Sequence, residues 1–381
     1  MTALDGIIAE LDERLADHDA TLRGHVGYVR QPSHTVYVPA DRFRPTTVDE
    51  WGDAAIELVQ EHGPLPFADE VNESIWEKLE REPIEDLRVD FEDGYGYRSD
   101  DEEDRHAAVA GSAFRRAAPT FYGVRCKSLE AMTRARAVRT LDVFLEALGV
   151  PPAGLVLTLP KVTGAVQVEA MAILCEHFED GYGLPPGSLR FEAQIETPRA
   201  IVGPDGTATV ARLIGAARGR LVGLPYGTYD YSAACGIAAA YQSLEHPAAD
   251  HAKAVMQVAA AGTGVRVCDG STNILPVGDH NAVVEAWALH ARLVRRSLER
   301  GFYQGWDLHF GQLPTRFGAV YGFYRDGEAA ATDRLGAYLQ RRESGILDEP
   351  ATARALAGYL LRGADCGAIT PAFDRALLES L

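Results

Sequence analysis

Eight short apolar runs recur along this chain, and most are followed by a longer stretch with helical periodicity. The runs are Thr35–Pro39, Leu87–Phe91, Phe121–Cys126, Leu155–Leu159, Leu189–Ile195, Leu221–Leu224, Val265–Cys268 and a weaker one at Trp306–His309. The helical patterns include Val48–Glu61, Arg105–Arg116, Leu129–Leu148, Ala165–Phe178, Thr207–Ala217, Ala248–Ala261, Ala282–Glu299 and Thr315–Leu339. Gly, Pro or Asp marks most of the joins. Such alternation predicts a parallel sheet, because parallel neighbours need a crossover long enough to hold a helix. Eight units are also the number that closes a barrel. An open doubly wound sheet is the rival, and against it no G-x-G-x-x-G follows the first strand. The expected fold class is α/β: a TIM (β/α)8 barrel over residues 34–343, an N-terminal helical segment at 1–33 and a C-terminal helical extension at 344–381. Ile7, Ile8, Leu11 and Leu15 recur at helical spacing in the first segment. The last segment reads as a small helical tail, a plug over the barrel mouth.

Composition narrows the partners. The chain carries 55 Asp and Glu against 37 Lys and Arg, a net charge of −18. Nucleic acid and anionic membranes would both be repelled, so neither is an expected partner. No apolar run reaches the roughly 18 residues of a membrane span. The acidic N-terminus lacks the order of a signal peptide. The five cysteines (Cys126, Cys175, Cys235, Cys268, Cys366) are scattered and never in C-x-x-C spacing, which fits a reducing compartment and argues against structural zinc. The expected location is the cytoplasm.

In a barrel the chemistry sits where strands end and loops begin. Strand two ends in Asp90-Phe91-Glu92-Asp93-Gly94, strand three in Arg125-Cys126-Lys127, strand four in Pro160-Lys161 and strand five in Gln194-Ile195-Glu196-Thr197. Strand six runs into Gly227-Thr228-Tyr229-Asp230. Acids and bases thus gather at one end of apolar strands. Glu196 and Asp230 can be read as helix N-caps or as ligands of a magnesium ion that keeps several waters. Glu92 and Asp93 tip the choice towards metal, because four carboxylates at one mouth need a cation. Arg125 can clamp a substrate carboxylate or pair with Asp90 or Glu92. Lys161 reads as a structural ion pair rather than a Schiff-base lysine. His309 reads as structural, and Cys126 and Cys268 as small core residues. Asp348-Glu349-Pro350 is an acidic helix start, or else carries a carboxylate base on a tail segment.

Taken together, these motifs resemble those of the superfamily joining citrate lyase beta subunits, malyl-CoA lyases, HpcH/HpaI-type aldolases and malate synthases. The resemblance runs over residues 34–318, through His34–Arg42, Val89–Gly94, Val124-Arg125, Leu159–Val162, Ile195–Pro198, Gly227–Tyr231 and Gln304–Gln312, in the family's order. It implies a barrel enzyme in which Glu196 and Asp230 hold Mg2+, with Mn2+ as a substitute. It implies that Arg125 grips the substrate carboxylate or oxo group, and that Glu92 and Asp93 stand near the metal's waters. Within a Glu-Asp-x-Ala-Thr pattern of malate synthases, the matching stretch Asp348–Thr352 places Glu349 at the position of a catalytic base. The family's late His-Pro is His309-Phe310 here, an insertion sits around Gly203–Thr207, and no basic cluster reads as a CoA phosphate site.

The expected protein is therefore a Mg2+-dependent carbon–carbon lyase or aldolase acting on a small carboxylate such as glyoxylate or pyruvate. A CoA thioester is the alternative substrate: a base at Glu349 favours it and the missing basic cluster disfavours it. A homo-oligomer is expected, with the tail acting in cis or in trans. A non-catalytic barrel that binds an acidic metabolite or a partner enzyme is the reading from another class.

Overall fold

The computed structural model describes residues 3–22, 28–340 and 349–381. The expected boundary at 343/344 lies outside the described residues. Eight parallel strands, β1 (His34–Pro39), β2 (Asp86–Asp90), β3 (Phe121–Arg125), β4 (Leu155–Leu159), β5 (Phe191–Ala193), β6 (Leu221–Pro225), β7 (Arg266–Cys268) and β8 (Gly305–Asp307), pair in the order β7-β6-β5-β4-β3-β2-β1-β8. Between β7 and β8 the Asp269 N–H donates to the Gln304 carbonyl at 2.8 Å and the Trp306 N–H to the Gly270 carbonyl at 3.4 Å, which closes the ring. The fold is a TIM-type α/β barrel with helices at both ends. β5 is shorter than the apolar run predicts, because its register against β6 shifts between Phe191 and Glu192. Pairing resumes at Ile195–Tyr226. That irregularity re-aims Gln194 and Glu196, as bulges beside active sites commonly do.

Helices follow the periodic segments closely. Asp100–Arg116 shows why: Ser99 caps it by accepting from the Glu102 N–H, Asp100 to Glu103 occupy its first turn, and Arg115 and Arg116 its last. Asp69–Arg81, which the strand–helix alternation does not anticipate, is a further helix before β2 and buries Val71, Ile75 and Leu79 at helical spacing. The N-terminal helix Ala3–Leu22 leaves Ile7, Ile8, Leu11 and Leu15 about half exposed. No helix among the described residues is long and apolar enough to cross a membrane.

Alternation along the strands separates two environments. Val36, Val38, Leu87, Val89, Tyr122, Val124, Leu157 and Leu159 face outward into the main core beneath the helices. The barrel interior is mostly polar, with one small apolar cluster of Tyr37, Cys268 and Trp306. Arg88 pairs with Asp86 and lies 3.3 Å from Glu192, whose carboxylate also accepts from Thr158 (2.6 Å) and Tyr37 (3.2 Å). These charges are buried but paired, which makes burial tolerable.

The C-terminal helix Pro350–Asp365 does not plug the mouth of its own barrel. It runs antiparallel to Leu313–Leu339, with Tyr359 against Phe323 and Tyr324 and the Tyr321 hydroxyl donating to the Cys366 carbonyl at 3.1 Å. Its apolar stripe of Ala353, Ala357, Leu360 and Leu361 is buried there. At its end Arg362 lies over Tyr28 and Tyr303, and the Tyr28 hydroxyl donates to Asp365 at 2.7 Å. Tyr28 and Tyr303 precede β1 and β8, so this contact is at the opposite end from the strand C-termini.

The barrel interior has a steric limit that predicts a stability effect. A Cβ on Gly123 of β3 would lie 1.8 Å from the Val156 carbonyl oxygen of β4. Gly123→Ala should therefore cost about 2–3 kcal/mol or more, read as a lower urea midpoint. An unchanged midpoint would show that the two strands have slack.

Candidate active site and metal centre

The site begins below the mouth, at Asp90. Its two carboxylate oxygens accept from the Glu92 N–H (2.9 Å) and the Gly94 N–H (3.0 Å), which shapes the turn that presents Glu92 and Asp93. The same oxygens accept from Arg125 Nε and Nη2, both at 2.7 Å, in a two-pronged buried pair. Arg125 Nη1 donates to Gln194 at 3.2 Å and lies 3.5 Å from Glu92. Tyr37 and Trp306 flank the guanidinium, at 4.9 and 5.8 Å from its carbon. The arginine expected to clamp a substrate carboxylate thus clamps a protein one, and it is 5% exposed. The ion-pair reading of Arg125 is the geometry observed.

Gln194 carries the network to Glu196, donating to its Oε2. The backbone N–H of Lys161 donates to Glu196 Oε1 at 2.6 Å. Gly227 lies against the same side chain: a Cβ there would come within 2.5 Å of Glu196 Cβ, so a glycine permits this close approach. Neither Glu196 nor Asp230 caps a helix. Thr197 caps the short helix Pro198–Ile201, and Asp230 stands in the first turn of Thr228–Ala234, whose cap position is Gly227.

Asp93, Glu196 and Asp230 each offer a carboxylate oxygen, and the three lie within 4.8 Å of one another. The set contains only hard oxygen donors, with no imidazole or thiolate, which suits Mg2+ or Mn2+ better than Zn2+. The residues therefore fit the metal that the motifs implied. Asp93, expected beyond the metal, stands as a third candidate ligand beside Glu196 and Asp230.

Lys161 lies among these acids. Its ammonium is 2.7 Å from Asp93 Oδ2, 2.6 Å from Asp230 Oδ2, and 3.6 Å from both Glu92 and Glu196. Its backbone adopts φ 54°, a left-handed conformation uncommon for a residue with a side chain. Burial pushes the Glu196 carboxyl up to about 8, against the pull of Lys161 and Arg125. Burial also raises Glu92, opposed by Arg125. Burial works to raise Asp93 too, but the hydrogen bond and charge of Lys161 overcome it and hold that carboxyl below its ordinary range.

A cavity of about 380 Å³ opens beside the acids, lined by Glu92, Asp93, Lys161, Ser128, Thr163 and Thr197 among others. Lys127 also faces it, but its ammonium is tied to Glu103 and to the Phe91 and Gly96 carbonyls.

The structure does not bring Glu349 to this cavity. It is exposed and precedes Pro350–Asp365, about ten residues before the Tyr359 contact, hence some 15 Å further along the antiparallel helix pair. Asp348 lies outside the described residues. His309 caps a short 3-10 turn by accepting from the Gly311 N–H, and Cys126 and Cys268 are buried, all in structural roles.

A family model described as a domain of unknown function, DUF6986, matches residues 14–377. No curated protein matches the sequence. Among solved structures, the chain is similar to a citrate lyase from Burkholderia xenovorans LB400, at 19% identity and a TM-score of 0.61, covering 93% of this chain and 98% of that one. It is also similar to the malate synthase of Haloferax volcanii in its magnesium/glyoxylate complex, at 12% identity and a TM-score of 0.53, covering 86% and 89%. At these identities the likeness is one of fold.

The raised Glu196 and Glu92 predict a pH effect. With folded-state values above the usual 4.5, the folded, metal-free protein binds more protons than the unfolded chain, so this contribution to stability is present at low pH and lost as pH rises towards 8. In the presence of a chelator, the melting temperature of wild type relative to Glu196→Gln should fall between about pH 5 and about pH 8. A relative stability that is flat or rising across that window would contradict a burial cost that outweighs the charges of Lys161 and Arg125.

Proposed function

The chain belongs to the DUF6986 family, and we propose that it is a divalent-metal-dependent carbon–carbon lyase or aldolase acting on small 2-oxo acids. The observation that carries this reading is the convergence of Asp93, Glu196 and Asp230 at the C-terminal mouth of a barrel. The fold likeness to a citrate lyase and a malate synthase supports the reaction class.

A cation held by Glu196, Asp230 and Asp93, with Mg2+ the first choice and Mn2+ a substitute, would supply Lewis-acid polarisation of a 2-oxo acid's carbonyl, favouring charge on its oxygen. The chain's own residues set the stage for that. Gln194 and the Lys161 N–H orient the Glu196 carboxylate from below. Arg125 acts as a positioning residue, joining Asp90 to Gln194 beneath the acids. Glu92 lines the cavity, and its raised affinity for a proton suits it to hold or move one at the substrate carbon. Glu349 takes no part within one chain's cavity.

Glyoxylate and pyruvate are the substrates this reading favours over a CoA thioester. Apart from Lys161, the cavity wall named above presents hydroxyls, carboxylates and the already committed Lys127. That lining would not attract the anionic phosphates of CoA.

Proton exchange in heavy water, followed by NMR, tests the proposal. With Mg2+, the pyruvate methyl signal should be lost, and Glu196→Ala and Asp230→Asn should slow that loss by about a hundredfold or more. Exchange of acetyl-CoA but not pyruvate would instead make this a thioester enzyme. No exchange of pyruvate or of acetyl-CoA, with or without glyoxylate, would leave the non-catalytic barrel.

A further inference from the structure

Lys161 differs from the other lysines of the barrel in its exposure. The side chains of Lys78, Lys127 and Lys253 are at most 8% exposed; Lys78 is tied to Glu82 and Glu85, and Lys127 and Lys253 each to a backbone carbonyl as well as a carboxylate. The Lys161 side chain is 22% exposed and borders the cavity, and its ammonium donates to Asp93 and Asp230. Both of those carboxylates are about half exposed, and both belong to the candidate metal-ligand set.

We propose that the Lys161 ammonium is a tethered competitor of the divalent cation, bridging Asp93 and Asp230 until the metal displaces it into the adjoining cavity. The inference rests on the metal reading given above. At 2.6–2.7 Å from two of the three candidate ligands, the nitrogen lies where a cation bound to those oxygens would lie. Magnesium–oxygen distances of about 2.1 Å would put the two cations in direct conflict, both sterically and by charge. The tether is fixed at its base, because the Lys161 N–H is bonded to Glu196 Oε1. Only the four-carbon stem needs to turn, and the cavity beside it gives it room. The exchange swaps one positive charge for two among four acids, Glu92, Asp93, Glu196 and Asp230, so the site carries a cation in both states. A competitor of this kind lowers the apparent metal affinity by the fraction of molecules in which the ammonium is out of the way.

Calorimetric titration of MnCl2 into metal-free wild type, Lys161→Met, Lys161→Arg and Asp230→Asn tests this, with circular dichroism to show that each variant is folded. Lys161→Met should bind at least about tenfold more tightly than wild type, because the competing charge is gone. Lys161→Arg should stay near wild type, and Asp230→Asn should lose most of the binding. If Lys161→Met binds equally or more weakly while Asp230→Asn still loses binding, or if Lys161→Arg tightens as Lys161→Met does, the competition is overturned and the metal reading survives. If neither wild type nor Lys161→Met binds the ion, both fail together.

Discussion

The pair between Asp90 and Arg125 is the interaction on which the mouth of this barrel depends. Both residues are buried, and two parallel hydrogen bonds join them across β2 and β3. The free side of the arginine reaches Gln194 beyond β5, and Gln194 reaches Glu196. The two oxygens of Asp90 also shape the turn that carries Glu92 and Asp93. Three of the four acids at the mouth are therefore held, directly or through one intermediary, by a single buried ion pair. Removing either partner would leave a buried charge without its main counter-charge, a severe penalty in a low-dielectric interior.

That organisation explains why the barrel interior is so polar. A core of branched aliphatic layers would pack well but could not orient carboxylates at its upper edge. Here the strands face their helices with Val, Leu and Phe and face the axis with Asp86, Arg88, Thr158, Glu192, Asp90 and Arg125. Each buried charge has a partner on a neighbouring or facing strand, so the interior is a connected frame. The acids at its top are less well compensated, and burial raises Glu196 and Glu92 as a result. An arrangement that holds carboxylates together against their mutual repulsion is suited to a cation.

Much of the site could be read from where acids follow apolar strands. Glu196 and Asp230 converge as their positions after strands five and six suggest. Asp93 was legible as an acid at a strand end, but not as a direct partner of those two, because its direction depends on the Asp90 turn. Arg125 was legible at the right place, but its commitment to Asp90 rather than to a substrate comes from a register between strands that spacing alone leaves open. The left-handed backbone of Lys161 has no signature in residue type, so its central position could not be foreseen. Glu349 is a different case: a short motif outside the barrel matches a family pattern, while within one chain the buried stripe of its helix faces the helix Leu313–Leu339.

What the sequence determined by itself was the repeat. Short apolar runs joined by period-3.6 segments point to parallel strands under helices, and eight such units are the number that closes a barrel. That pattern also set which end of the barrel would carry charge, because a strand's last residue and the loop after it are adjacent in the chain. Tertiary structure alone decided which charges meet. Asp90 to Arg125 spans 35 residues, Arg125 to Gln194 spans 69, and Lys161 to Asp230 spans 69. Such contacts depend on strand register, on the shifted pairing at Glu192 and on one strained backbone at Lys161, and these follow from how the whole sheet closes rather than from any local stretch of residues.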